Sequence, residues 1–196
     1  MRVEQTEIPG VLLLTPRAFL DSRGYFTELY NQRVFHDLGI ECDFVQDNMS
    51  FSKHAGTVRG LHYQAPPFAQ AKLVRCVRGE ILDVCVDIRI GSPTYGATVS
   101  RILSARNMCQ IFVPAGFAHG FSTLSPLTEV HYKVDNPYAP ECERGIRFDD
   151  PQLAIDWQLE DRRAVISDKD TELPDFASLV PEFFHNPENE ESRCAS

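Results

Sequence analysis

Lys72-Leu73-Val74-Arg75-Cys76-Val77-Arg78-Gly79-Glu80-Ile81-Leu82-Asp83-Val84-Cys85-Val86-Asp87-Ile88 is the stretch on which the fold turns. In its second half Leu82, Val84, Val86 and Ile88 alternate with Ile81, Asp83, Cys85 and Asp87, the period of two that marks a strand. Lys72 to Val77 reads as a second strand, and Arg78-Gly79-Glu80 suits a tight connection, so a hairpin is predicted. Further strands are predicted at Val11 to Leu14, Tyr25 to Tyr30, Val99 to Leu103, Gln110 to Val113 and Thr128 to Val134. Turn signals such as Gly91-Ser92-Pro93-Thr94 separate them. Helix signals are few: Asn31 can cap a short helix that Gly39 stops, and Asp150-Pro151 can open another running to Trp157. Many short strands with brief connections predict an all-β sandwich, jelly roll or barrel with a few short helices.

The rest of the chain is consistent with one domain of 196 residues. We read residues 1–184 as that domain and the polar stretch 185–196 as a flexible tail; there is no internal repeat. A chain of this length buries about 70% of its unfolded surface, so it needs no disulfide or metal to fold. Lys and Arg number 19 against 28 Asp and Glu, a net charge of −9. That balance opposes nucleic acid and anionic membranes but leaves room for a small anion held by local Arg and Lys. No apolar run approaches the roughly 18 residues of a membrane span, and Met1-Arg2-Val3-Glu4-Gln5 has no apolar signal core. A cytoplasmic protein is expected. The six cysteines, Cys42, Cys76, Cys85, Cys109, Cys142 and Cys194, form no C-x-x-C pair and are expected to be reduced thiols.

Several segments carry groups capable of chemistry. Arg59-Gly60-Leu61-His62-Tyr63-Gln64 offers an imidazole next to a guanidinium. Pro114-Ala115-Gly116-Phe117-Ala118-His119-Gly120-Phe121 shapes a turn that can present His119 toward a cavity. The pairing of these two histidine segments resembles the two-motif layout of cupin barrels. A metal cupin carries H-x-H and a Glu in its first motif; here Tyr63 and Gln64 follow His62, a poor ligand set, and no metal is expected. In Thr128-Glu129-Val130-His131-Tyr132-Lys133, Tyr132 shares a strand face with Val130 and lines the interior if Val130 points inward. Ser167-Asp168-Lys169-Asp170 alone reads as a solvated turn. Asp21-Ser22-Arg23-Gly24 also reads as a turn, although its Arg suits a phosphate.

Taken in order, these segments resemble the dTDP-4-dehydrorhamnose 3,5-epimerase family. The likeness rests on Asp-Ser-Arg-Gly at 21–24, Phe-Val-Gln-Asp-Asn at 44–48, Arg-Gly-Leu-His-Tyr-Gln at 59–64 and Ala-Lys-Leu-Val-Arg-Cys at 71–76. It continues through residues 79–89, Ser-Pro-Thr-Tyr-Gly at 92–96, residues 114–121 and Ser-Asp-Lys-Asp at 167–170. Where the family often has Trp before the second-motif proline, this chain has Phe112-Val113.

The resemblance implies a cupin-type jelly roll that needs no cofactor and acts on a dTDP-linked 4-keto-6-deoxyhexose. It implies His62 as base oriented by Asp170, Tyr132 as proton donor, and Lys72 at the developing enolate. Arg59, Lys72 and His119 would surround the sugar and diphosphate. Arg23, Phe26, Glu28, Gln46, Asp47, Asn48, Glu143 and Lys169 match further ligand positions, and Tyr138 matches the aromatic that stacks on thymine. A homodimer is implied, in which an N-terminal segment brings Arg23 and Phe26 to the neighbour's site. The chemistry suits these groups. C3 and C5 both flank the ketone, so their protons are acidic; an imidazole titrates near working pH, and a cation can stabilise the enolate. Inversion needs an acid on the face opposite the base. Period two puts Arg59 and His62 on opposite faces of one strand, unless a bulge at Gly60 brings both inward.

Overall fold

The computed structural model describes residues 1–159 and 163–186. The strands on either side of Gly79 form where expected, as Lys72–Arg78 and Glu80–Asp87, but they do not pair with each other. In chain order the strands are β1 (Arg2–Gln5), β2 (Leu12–Thr15), β3 (Ala18–Asp21), β4 (Gly24–Thr27), β5 (Gln46–Ser52), β6 (Val58–Gln64) and β7 (Lys72–Arg78). They continue with β8 (Glu80–Asp87), β9 (Thr98–Ser104), β10 (Gln110–Val113), β11 (Phe117–Thr123), β12 (Thr128–Val134) and β13 (Glu143–Gly145). Two short helices, α1 (Gln32–Asp37) and α2 (Asp168–Thr171), complete the regular elements used here. One sheet runs β1-β2-β10-β7-β12-β5 and faces a second, β13-β6-β11-β8-β9. The predicted hairpin is therefore corrected to a crossing between sheets. Gly79 makes that crossing at φ +82, where a Cβ would lie 2.5 Å from the hydroxyls of Ser125 and Thr128.

The long apolar run of β8 has a physical reason. Ile81 and Cys85 pack between the sheets with Val74, Ile111, Phe117 and Val130. Leu82, Val84 and Val86 face the other way, under Val58, Leu61, Trp157 and Phe176. A strand buried on both faces needs apolar residues at both parities, and only Asp83 and Asp87 interrupt it. A third cluster caps the outer face of the first sheet, where Phe35 of α1 meets Leu12, Leu14, Leu73 and Phe112. α1 forms as predicted: Asn31 Oδ1 accepts from Val34 N at 3.4 Å, and Gly39 leaves at φ +77.

Other expectations are corrected. The stretch 150–157 is a turn rather than a helix, because Asp150 Oδ1 accepts from the N–H groups of Gln152 and Leu153 and Ala154 takes φ +46. The strand expected at Tyr25 to Tyr30 ends at Thr27. β3 and β4 pair only with each other and expose Phe19, Leu20, Tyr25 and Phe26. The start of the expected tail is tied down, since His185 N donates to Ile90 O at 2.9 Å; residues 187–196 lie outside the described residues. Cys42, Cys76, Cys85, Cys109 and Cys142 are not in disulfides, and Cys194 also lies outside the described residues. Among the described residues no helix is long and apolar enough to cross a membrane.

Candidate active site

Gly60 decides where the first histidine goes. Along β6 and β11, Arg59 pairs with Phe121 and His62 with His119, three steps on one strand against two on the other. This is a bulge, and it places Arg59 and His62 in one cavity despite their odd spacing. Gly60 has φ +110, and its Cβ would lie 2.7 Å from the Cα of Gly120, so no side chain fits. Arg59 is aimed by Ser52 Oγ at 3.3 Å and by the carbonyl of Phe51 at 3.1 Å.

His62 Nε2 meets Asp170 Oδ1 at 2.8 Å. The second oxygen of Asp170 accepts from Gly60 N at 3.3 Å, so the bulge also helps to hold the carboxylate. Burial pushes the Asp170 carboxyl up, but its bonds to His62, Gly60 and Ser167 outweigh this and hold it below the usual range. An ionised Asp170 keeps the proton of neutral His62 on Nε2. Nδ1 is left with the lone pair that a base requires.

The facing sheet supplies Tyr132 and Lys72, while β11, beside β6, supplies His119. Val130 is buried between the sheets, and Tyr132 lines the same cavity from β12. Burial and nearby Glu143 raise the Tyr132 phenol above its ordinary value against the pull of Arg59, so it holds its proton at neutral pH. Lys72, on β7, donates from Nζ to the carbonyl of His62 at 3.1 Å. Burial lowers its ammonium to about 8, despite the opposing fields of Cys85, Asp83 and Glu143. His119 Nε2 lies 2.9 and 3.0 Å from the two oxygens of fully buried Asp83. The cavity measures about 420 Å³, and Thr57, Val58, Phe121, Val165 and Ile166 also line it.

A polar network lies beside it. Glu143 Oε2 accepts from the Tyr138 hydroxyl and from Lys169 Nζ, both at 2.6 Å. Burial raises the Glu143 carboxyl, but these partners hold it below its ordinary value. Gln46 Oε1 accepts from Tyr138 N at 3.1 Å, and Gln46 Nε2 donates to Asn48 Oδ1 at 2.8 Å. Asp47 has the opposite parity on β5 and is exposed, 2.6 Å from Lys133. Within a single chain three further expected residues also stand away from the cavity. Arg23 is exposed and pairs with Asp21, Phe26 is exposed, and Glu28 accepts from Asn31.

A profile of the dTDP-4-dehydrorhamnose 3,5-epimerase family matches residues 5–178. The chain belongs to this family. It is 48% identical over 183 residues to the dTDP-4-dehydrorhamnose 3,5-epimerase of Sinorhizobium fredii, covering 93% of each chain. Among solved structures it is similar to the Bacillus anthracis 3,5-epimerase with TDP and pyrophosphate bound, at 48% identity and TM-score 0.86, covering 89% of this chain and 98% of that one. The Legionella pneumophila 3,5-epimerase in complex with dTDP-4-keto-L-rhamnose is similar at 40% identity and TM-score 0.90, covering 94% and 98%. The two-sheet architecture is the cupin-like jelly roll of these 3,5-epimerases, and the chain is an isomerase of the 3,5-epimerase family.

Sequence reading missed Asp83, Ser52, Ser167 and Ser50, the last of which also lines the cavity. Asp83 was hidden, because with Asp87 it reads as the polar half of an alternating strand. Ser50 and Ser52 carried no signal, since their place in the site depends on which strand lies opposite; Ser167 stood in the Ser-Asp-Lys-Asp motif, where it reads as part of a turn. A second cavity of about 550 Å³, lined in part by Phe183 and Phe184, is larger but is lined by no histidine or tyrosine among the described residues. No group of three or more His, Cys, Asp or Glu side chains among the described residues is arranged to hold a metal ion.

Proposed function

We propose that the cavity between the sheets epimerises a dTDP-linked 4-keto-6-deoxyhexose at C3 and C5, with His62 as the base and Tyr132 as the acid. The observation that carries this reading is that the two side chains line one cavity from opposite sheets. A proton leaves one face of the sugar to His62 Nδ1, and the electron pair moves onto the C4 oxygen as an enolate. Lys72, with His119, stabilises that oxygen. The Tyr132 hydroxyl returns a proton to the opposite face, which inverts the carbon. Asp170 supports the imidazolium formed at His62, and Arg59 suits the diphosphate. Tyr138, exposed and held by Glu143, suits the thymine ring; Gln46, Asn48, Glu143 and Lys169 line its approach. No cofactor is required for these proton transfers. The test is NMR of the product formed by purified protein from dTDP-4-keto-6-deoxyglucose. The L-rhamno configuration is expected; inversion at C3 alone, or unchanged sugar, would overturn the reading.

We further infer a homodimer in which Arg23 and Phe26 serve the neighbouring subunit's cavity. Support comes from β3 and β4, a two-stranded sheet with exposed aromatic residues that is marginal by itself. β5 is an edge strand with Met49 and Phe51 exposed, and such edges are normally paired or covered. Mixing and refolding inactive His62→Ala and Arg23→Ala proteins should regenerate activity, because one site of each mixed dimer is intact. No recovery would place Arg23 in its own subunit's site. A single domain over 1–184 and a cytoplasmic setting complete the reading, the latter supported by cysteines that form no disulfide among the described residues.

A further inference from the structure

We propose that Ser167 is a positioning residue, which holds the Asp170 carboxylate on His62 and so sets how readily His62 takes up a proton. This rests on the reading of His62 and Asp170 as the reacting pair. α2 is a single turn, Asp168–Thr171, too short to be stable by itself, so its ends decide where it sits. Ser167 is its N-cap. Its Oγ accepts from Asp170 N at 3.2 Å, and its carbonyl accepts from Asp170 N at 3.0 Å and Thr171 N at 3.2 Å. The residue so capped is the one whose side chain reaches His62.

Ser167 is also among the groups that hold the Asp170 carboxyl below its usual range. Upstream, Val165 is fixed to β6: Val58 N donates to Val165 O and Val165 N to Gly56 O, each at 2.9 Å. Ser167 is thus the joint between an anchored segment and the carboxylate, and it lines the cavity itself. The charged and titratable groups around the pair are Arg59 from β6, Lys72 from β7, His119 from β11, Tyr132 from β12, Glu143 from β13 and Lys169 from α2. All of these remain when the hydroxyl is removed. Without the hydroxyl the Asp170 carboxylate is held less firmly on His62, the protonated form of His62 loses support, and the base becomes weaker.

The experiment compares Ser167→Ala, Ser167→Thr and Asp170→Asn by kcat, KM and the pH profile of kcat/KM. Ser167→Ala is expected to lower kcat about tenfold, in line with the loss of an ordinary cap. Its KM should stay constant while the acid limb moves to lower pH. Ser167→Thr, which keeps the hydroxyl, should restore both. Wild-type kcat and an unshifted limb in Ser167→Ala would overturn the proposal. So would equal losses in the Ala and Thr proteins with an unshifted limb. If Asp170→Asn is impaired while Ser167→Ala is not, only the role of Ser167 fails. If Asp170→Asn keeps wild-type turnover, the reacting-pair reading fails with it.

Discussion

His62 Nε2 sits 2.8 Å from Asp170 Oδ1, although 108 residues of chain separate the two. The bulge at Gly60 supplies the imidazole and an N–H for the carboxylate; α2 supplies the carboxylate. Removing the imidazole should therefore remove the base without disturbing the surrounding strands. His62→Ala is expected to slow exchange at C3 and C5 by at least about 10²-fold, the usual worth of general base catalysis. Near-normal exchange in a folded His62→Ala protein would sink the assignment.

Tyr132→Phe should separate proton removal from proton return. The ring keeps its volume beside Val130, so packing loses little. His62 still takes a proton and can give it back on its own side. Substrate protons should wash out into deuterated water while little inverted product forms. Unimpaired inversion would mean that another group is the acid.

Lys72 gives the reaction a basic limb. Burial lowers its ammonium to about 8, so the enzyme loses this cation as pH rises through that value. The same shift means that the folded state binds fewer protons than the unfolded chain between about 8 and 10.5, so this group makes the fold relatively more stable as pH rises there. Measured as kcat/KM, wild-type activity should fall above about pH 8. Lys72→Met should lose roughly 10²-fold in activity, as for removal of an oxyanion donor, without a lower thermal midpoint. Lys72→Arg stays charged, so its residual activity should show no limb near pH 8. A limb that persists there would assign it to another group.

Much of this architecture was legible in the chain because β strands print their period. Leu82, Val84 and Val86 marked β8, and Thr128 to Val134 marked β12 at its observed bounds. Pairing was not legible. Gly79 fits a hairpin and a sheet crossing equally well, and the choice depends on partners dozens of residues away. The same is true of the site. His62, Lys72, His119 and Tyr132 stood out as residue types in motifs, but the carboxylate behind His119 was hidden. Asp83 looked like the polar half of an alternating strand, whereas its parity faces the interior. Ser167 looked like part of a solvated turn, because the strand that it approaches lies a hundred residues earlier.

Asp87 offers a stability test remote from the cavity. It is fully buried and accepts from Arg89 at 2.8 Å, from Ser92 Oγ at 2.6 Å and from Thr94 Oγ1 at 2.7 Å. Burial raises its carboxyl, but these bonds more than compensate and hold it below 3.8. With the folded value below the unfolded one, the stabilisation is complete above the unfolded value and is lost as pH falls through the folded one. Asp87→Ala takes the anion away from a largely buried guanidinium and should cost about 3 kcal/mol at neutral pH. Denaturant midpoints should show that loss, shrinking below about pH 4, with turnover per folded molecule unchanged. A loss that stayed constant into strong acid would contradict the linkage.

The central claim is that one base and one facing acid act at both carbons that flank the ketone. The most direct measurement is NMR of the product formed by the wild-type protein from dTDP-4-keto-6-deoxyglucose in deuterated water. The account predicts inverted product carrying deuterium at C3 and at C5. Label at C3 alone, or inverted product without solvent deuterium, would contradict it.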